Sequence, residues 1–178
     1  MKKMIIALAA LAGLCSCTGK QNTPLVAYFS ATGTTRAAAE ILAEQAGADL
    51  LEIVPEVAYT DADLDWRDST SRSTLEMKDR SSRPAIKTPS ADAGTYDTVY
   101  IGFPVWWGVA PTVVNTFIES ADLTGKTVVV FATSGGSTTE GSVKAFQETY
   151  PDIEWVDGGL LNEASPESAK AFLSALKK

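Results

Sequence analysis

Leu25-Val26-Ala27-Tyr28-Phe29-Ser30-Ala31-Thr32-Gly33-Thr34-Thr35, followed by Arg36-Ala37-Ala38-Ala39-Glu40-Ile41-Leu42, decides the fold class. An apolar run enters a hydroxyl-rich turn and leaves it as a helix-forming run, the pattern of a buried strand, a tight connection and a helix. Such a turn gathers free backbone N–H groups and several hydroxyls around one small space. The positive end of the helix dipole is directed into that space, which suits a phosphate. Gly33 lets the backbone come close to an anion or take a positive φ. The alternative for these residues alone is an ordinary βα turn in which Ser30 or Thr32 caps the helix.

Downstream, strand and helix signals alternate as in a parallel sheet wrapped by helices. Strands are expected at 25–30, 50–54, 98–103, 127–133 and, more weakly signalled, 153–156; helices at 35–46, 111–120, 142–150 and 166–177. Val128-Val129-Val130-Phe131 reads as a strand buried on both faces. Residues 55–97 interrupt the alternation with a long polar excursion, partly helical between Ser69 and Arg83, in which Arg83-Pro84 and Thr88-Pro89 end regular structure. Excursions of this length on compact domains serve a function or simply cover the surface.

Upstream, Lys2-Lys3 precedes an apolar stretch, Met4 to Leu14, too short to span a bilayer, and then Cys15-Ser16-Cys17. Leu14-Cys15-Ser16-Cys17 resembles the bacterial lipobox. Residues 1–16 are expected to be a lipoprotein signal peptide, Cys17 the lipid-carrying N-terminus, 17–24 a tether and 25–178 one domain. From Thr18 to Pro24 the tether reaches at most roughly 23 Å at about 3.3 Å per residue, so the domain is expected close to a bacterial membrane on its extracytoplasmic side. Both cysteines of the chain lie at or before the expected processing site, and the chain has no histidine. Ser-His-Asp and Cys-His catalysis are thereby excluded, and a zinc or haem site is disfavoured. Reactivity must come from a bound cofactor. The chain carries a formal charge of −7, and loss of Lys2 and Lys3 leaves the rest more negative still. An acidic body argues against nucleic acid and against adhesion to anionic lipid, and suits partners with basic docking patches.

Two further segments join the opening turn. Gly102-Phe103-Pro104-Val105-Trp106-Trp107-Gly108 closes the third strand, where ligands of open α/β sheets bind. Two adjacent tryptophans there are either packing residues or a cover for a flat ligand. Thr133-Ser134-Gly135-Gly136-Ser137-Thr138 follows the fourth strand, and its paired glycines let backbone amides reach a ligand edge. Three loops after parallel strands therefore converge on one crevice. Three other patterns carry less. Ser120-Ala121-Asp122-Leu123-Thr124-Gly125-Lys126-Thr127 ends like a nucleotide-binding phosphate loop but precedes a strand. Gly158-Gly159 reads as a loop before the last helix. Asp61, Asp63 and Asp65 have a calcium-like spacing without the glycine and distal Glu of an EF-hand.

Together these motifs resemble the flavodoxins, and more closely the short flavodoxin-like proteins with a double-Trp loop. Ser30-x-Thr32-Gly33-x-Thr35 is similar to the family's FMN phosphate loop. Tyr96-Asp97 leading to Gly102-x-Pro104-x-Trp106-Trp107-Gly108 is similar to its second flavin loop, and Thr133 to Ser137 to its third. The resemblance implies an α/β fold with a five-stranded parallel sheet in the order 2-1-3-4-5, helices on both faces, and FMN at the strand ends. It implies that Ser30, Ala31, Thr32, Gly33, Thr34 and Thr35 hold the ribityl phosphate. Of Pro104, Val105, Trp106, Trp107 and Gly108, one tryptophan stacks on the isoalloxazine and the Trp107–Gly108 peptide lies near flavin N5, where flavodoxins tune the flavin by a backbone flip. Of Thr133, Ser134, Gly135 and Gly136, the two glycines offer amides to the pyrimidine edge.

Two departures stand out. The third loop lacks the tyrosine that covers the second flavin face in many flavodoxins, and Val109 replaces an acidic residue frequent after the second-loop glycine. Tyr59, or another aromatic of the 55–97 excursion, is a candidate replacement cover. The expected function is FMN-dependent electron transfer with a redox partner protein. The alternative is an oxidoreductase that passes electrons to a small acceptor such as a quinone, and a second alternative is a binding module of this fold that has lost its flavin.

Overall fold

β1 (Leu25–Tyr28) is buried at every residue, because it lies in the interior of a parallel sheet covered on both faces. The computed structural model describes residues 23–87 and 95–177. The expected leader, with Cys15 and Cys17, and the Thr88-Pro89 break lie outside the described residues. After β1 the chain runs through α1 (Thr34–Ala46), β2 (Asp49–Glu52), α2 (Arg72–Lys78), β3 (Thr98–Pro104), α3 (Thr112–Ser120), β4 (Thr127–Thr133), α4 (Glu140–Thr149), β5 (Glu154–Leu160) and α5 (Pro166–Ala175). The five strands form one parallel sheet in the order β2-β1-β3-β4-β5. The expected fold class is therefore observed.

The period of two along each central strand divides the core into two layers. Leu25, Ala27, Val99, Ile101, Phe103, Val128 and Val130 face α3 and α4, meeting Val113, Phe117 and Phe146. Val26, Tyr28, Tyr100, Val129 and Phe131 face α1 and α5, meeting Ala38, Leu42, Ala169 and Phe172. Gly102 in β3 makes this second layer possible, since a Cβ there would sit 2.1 Å from the Phe131 ring. The motif glycine before the second loop is thus required by packing.

β5 is longer than its sequence suggests. Gly158 and Gly159 belong to it and are not the loop expected from two adjacent glycines. The register with β4 shifts between Val130 and Phe131, so a bulge accommodates the extra residue. A Cβ on Gly158 would stand 2.5 Å from the Phe172 ring, so the bare backbone is what lets α5 lie on the sheet.

The 55–97 excursion is braced to the body along its described length. Glu56 N–H bonds to Ala85 C=O and Lys87 N–H to Val54 C=O. α2 starts at Ser71, whose hydroxyl accepts from Thr74 N–H. Arg80 donates to Ala110 C=O at 3.3 Å, and Arg83 grips both carboxylate oxygens of Glu119 at 2.9 Å. The carboxylates of the aspartate series close local turns: Asp63 accepts from Thr60 N–H and Oγ1, and Asp65 from Arg67 N–H.

Candidate functional site

The loops after β1, β3 and β4 surround a cleft of about 470 Å³, lined by Thr32, Thr34, Pro104, Val105, Trp106, Thr133, Ser134, Gly135 and Asn162. The cleft lies beyond the carboxyl ends of the strands, where β1 and β3 leave in opposite directions and strand order reverses.

The first loop ends in a helix without a side-chain cap. Gly33, at φ 92°, is the N-cap residue of α1, and no hydroxyl caps the first turn. Ala37 N–H makes the first return bond, to Gly33 C=O at 3.1 Å, so the N–H groups of Thr34, Thr35 and Arg36 have no intrahelical acceptor. Ser30 Oγ is taken up by Gly33 N–H at 3.1 Å. The Thr32 and Thr34 hydroxyls are exposed, 3.4 Å apart. Thr35 behaves differently: it is buried, and its Oγ1 lies 2.8 Å from Oγ1 of Thr133, linking the first loop to the end of β4.

The second loop is a closed two-residue turn. Trp106 N–H bonds to Val109 C=O at 2.9 Å and Val109 N–H to Trp106 C=O at 3.1 Å. Between them Trp107 (φ 48°) and Gly108 (φ 82°) are both left-handed, the pattern of a type I′ turn. Among the described residues, Trp107 alone of the non-glycines has positive φ. A left-handed conformation costs an L-residue roughly 1–2 kcal/mol, so the placement of this indole is held against its backbone preference. The turn presents Trp107 half-exposed, at 51%. Trp106 instead packs edge-on against Phe29 and Tyr59, at ring-centroid distances of 5.7 and 5.3 Å.

Tyr59 is locked behind Trp106. Its hydroxyl donates to Glu76 Oε2 at 2.5 Å, and the Arg72 guanidinium lies 4.0 Å over its ring while pairing with Glu76 Oε1 at 2.7 Å. Burial, reinforced by the hydrogen bond to Glu76, pushes the Tyr59 hydroxyl far above its ordinary range. Of the two sources of cover expected from the excursion, Tyr59 supports Trp106 from behind, and the exposed aromatic near the loop is Trp66, at 66%.

The third loop is organised by a residue that the sequence did not point to. Asn162 Oδ1 accepts from Ser134 N–H at 2.7 Å and its Nδ2 donates to Ser134 C=O at 2.9 Å, so one side chain pairs with the backbone as a strand would. Ser134 Oγ accepts from Gly136 N–H at 3.3 Å and Ser137 N–H at 2.8 Å. The Gly136 amide is therefore turned toward Ser134, whereas the Gly135 amide has no such partner among the described residues. Val105 N–H bonds to Thr133 C=O at 2.9 Å, tying the second loop to β4.

The sequence profile of the flavodoxin family matches residues 23–176. The chain belongs to the flavodoxin family. It is 51% identical to a protein of Bacteroides eggerthii DSM 20697 assigned as a flavoprotein, covering 88% of this chain and 98% of that one at a TM-score of 0.84. A similarly assigned protein of Bacteroides uniformis ATCC 8492 is 52% identical over 86% of this chain and 98% of its own, also at 0.84. A flavoprotein of Lactobacillus acidophilus NCFM, solved in complex with FMN, shares the fold at 24% identity and a TM-score of 0.64, over 76% of this chain and 91% of that one. No curated protein matches the chain.

A second cavity of this flavodoxin, about 450 Å³, lies at the other end of the sheet, between the C-terminal ends of α3 and α4. Its walls include Glu119, Asp122 and Asp152. That end is opposite the strand termini where open sheets take their ligands. The phosphate-loop look-alike before β4 runs along it, with Gly125 N–H bonded to Asp152 C=O.

Proposed function

We propose that this flavodoxin binds FMN in the cleft above β1, β3 and β4 and transfers electrons through it. The observation that carries the reading is the polarity of the cleft. One end offers three helix N–H groups with the Thr32 and Thr34 hydroxyls, and the other offers the Trp106 indole and the Gly135 amide, with the exposed Trp107 indole in a smaller cleft that shares Val105 and Trp106 with it. This donor set fits a phosphate joined to a flat heterocycle. The Lactobacillus relative, solved with FMN, makes FMN the flavin to test. FMN when bound supplies one- and two-electron chemistry; the chain supplies the rest. The N-terminus of α1 would hold the phosphate dianion. Trp107 offers a flat apolar face, and Trp106, fixed by Phe29 and Tyr59, keeps that loop in place. Asn162 fixes Ser134, so the neighbouring Gly135 amide would be held ready to donate to a flavin without reorganisation.

Titrating the purified full chain with FMN tests the reading. The expected result is quenched flavin fluorescence and a yellow, stoichiometric complex; a chain that stays colourless and leaves the fluorescence intact refutes it. The acidic body favours a basic redox protein as partner. NAD(P)H oxidation with a quinone in the absence of any partner protein supports a small-acceptor oxidoreductase instead. The basic start, short apolar run and Cys17 support a lipid-anchored, extracytoplasmic location.

A further inference from the structure

The root of the expected tether is fixed in the fold. Thr23 is exposed, but Pro24 C=O accepts from Asp49 N–H at 2.9 Å and Leu25 is buried, so the chain is pinned from Pro24 onward to the starts of β1 and β2. Because all five strands are parallel, every strand starts at this end of the sheet. The candidate FMN cleft lies beyond the other end, among the loops that leave the strands.

The distance between the two ends can be set against the reach of the tether. Leu25 is level with Val99 across the β1–β3 pair. β3 runs to Pro104, and Val105 N–H still pairs with Thr133 C=O before the turn begins at Trp106. The rise from Val99 to Trp106, at about 3.3 Å per residue, puts that loop roughly 23 Å above the root. From Thr18 to Pro24 the tether spans no more than this when fully stretched, and it has to pass around the domain rather than through it. Clearing the edge strand β2 takes about 4.8 Å of sideways travel; clearing the helices on either face takes about 10 Å. A lipid on Cys17 therefore cannot come level with the mouth of the cleft. The anchored domain can stand on the bilayer or lie on its flank, but it cannot lay the mouth onto the lipid.

We infer that the anchored domain keeps the mouth of the FMN cleft turned to water, so that the site is served by a water-soluble partner and not by a compound dissolved in the bilayer. The inference rests on the proposed FMN site and on the proposed lipid anchor. Among small acceptors it excludes a long-tailed quinone, whose apolar tail keeps it in lipid. The acidic body favours a basic partner on the open, aqueous side.

The test uses the lipidated chain on phosphatidylcholine vesicles. Thr124, before β4, and Glu163, after β5, are exposed at the two ends. With Cys17 lipidated, Thr124→Cys and Glu163→Cys each give one free thiol for a donor dye, with the acceptor dye on lipid headgroups. Averaged over the allowed orientations, the Thr124 position is nearer the bilayer, so its donor is expected to lose more fluorescence than the one at Glu163. A flexible Gly/Ser insert of about 20 residues after Asn22, with a root-mean-square span of roughly 25 Å, is expected to shrink that difference. An equal or larger loss at Glu163 in the native-length chain, or a difference that the insert leaves unchanged, overturns the inference. So does a chain that fails to float with the vesicles, which refutes the anchor as well. These readings are made without flavin, so they stand apart from a failed FMN titration. The partner class is read on the FMN-loaded chain, reduced stoichiometrically with dithionite under anaerobic conditions, on vesicles carrying a long-tailed quinone. Two electrons and two protons from the reduced flavin would convert that quinone to its hydroquinone. The native-length chain is expected to stay reduced; its oxidation as fast as that of the chain with the insert overturns the inference.

Discussion

The backbone of Gly141, in the first turn of α4, lies directly against the carbonyl oxygen of Gly108: a Cβ at position 141 would stand 2.4 Å from that oxygen. The tip of the second loop is therefore seated on α4, the helix that follows the third loop. The second loop and the helix that follows the third thus share a contact that only glycine permits.

Gly141→Ala is predicted to reverse the usual sign of a glycine-to-alanine change in a helix. Propensity alone would stabilise by about 1 kcal/mol. Here the obstacle is backbone, which cannot rotate away, and overpacking of this kind costs roughly 1–3 kcal/mol. The variant should fold cooperatively, melt at a lower temperature and bind FMN more weakly as the 106–109 turn shifts. A raised Tm with unchanged FMN affinity would show that the turn is not seated there.

Trp107→Asn should separate stability from binding. Asn-Gly is the preferred pair for a type I′ turn, so the substitution relieves the left-handed tryptophan. The ligand-free domain should gain about 1 kcal/mol, or about 2–4 °C in Tm for a domain of this size. FMN affinity should fall about 5- to 150-fold with loss of the flat surface. Thermal melts and flavin titrations measure the two effects independently. A less stable apo-domain would mean the turn is not strained, and an unchanged Kd would remove Trp107 from the site.

The partly buried hydroxyl of Tyr59 predicts an alkaline limb in stability. Its folded pKa is raised by burial and by the hydrogen bond to Glu76. A raised value means that its contribution is complete below the unfolded value of about 10 and is lost as pH rises beyond it. Tyr59→Phe should cost about 1–2 kcal/mol at neutral pH, because Glu76 Oε2 loses its donor. Above about pH 10 the gap between the two proteins should narrow. Denaturant unfolding from about pH 8 to about pH 11 reads this directly. A constant gap would mean that the hydroxyl is not held un-ionised.

The proposed lipid anchor predicts a localisation switch. Cys17→Ser should move the protein from the membrane to the soluble fraction, since lipidation requires that thiol, while Cys15→Ser should leave it on the membrane. Retention of the Cys17 variant would refute the anchor.

The alternation of strands and helices and the three loops were legible because they follow from local pattern, whereas the strand order came from the resemblance to the flavodoxins. Buried strands show as apolar runs, and Ser30 to Thr35 and Trp106 to Gly108 carry their turn chemistry in adjacent residues. What the sequence hid depends on contacts distant along the chain. Nothing local marks Asn162 as the residue that fixes Ser134, 28 positions away. Gly158 and Gly159 resemble a loop until Phe172 is placed above them. Tyr59 and Trp66 lie in one irregular excursion with similar apparent potential as cover, and only the fold packs the first partly into the core and exposes the second. Thr35 looks equivalent to Thr32 in the phosphate motif, yet its hydroxyl meets Thr133, 98 positions later.

That last difference predicts a ligand-specific split between two threonines of the same turn. The Thr32 hydroxyl is exposed at the N-terminal end of α1, where a phosphate would accept from it. Thr32→Ala should weaken FMN by roughly 10- to 150-fold, corresponding to the loss of about 1.5–3 kcal/mol for a hydrogen bond to a charged group. Riboflavin lacks the phosphate, so its affinity should hardly change. Thr35→Ala removes the partner of Thr133 Oγ1 in a buried setting, where an unmade hydrogen bond costs about 1–3 kcal/mol of stability. Because that pair joins the first loop to β4, its loss should lower the Tm and weaken FMN and riboflavin alike. Fluorescence titration of both flavins against both variants, with a melt of each apo-protein, measures all of these quantities. Equal losses for the two flavins in Thr32→Ala would mean that the turn does not hold the phosphate. A selective loss of FMN in Thr35→Ala, with riboflavin unaffected, would mean that the Thr35 hydroxyl leaves Thr133 and turns to the phosphate when FMN binds.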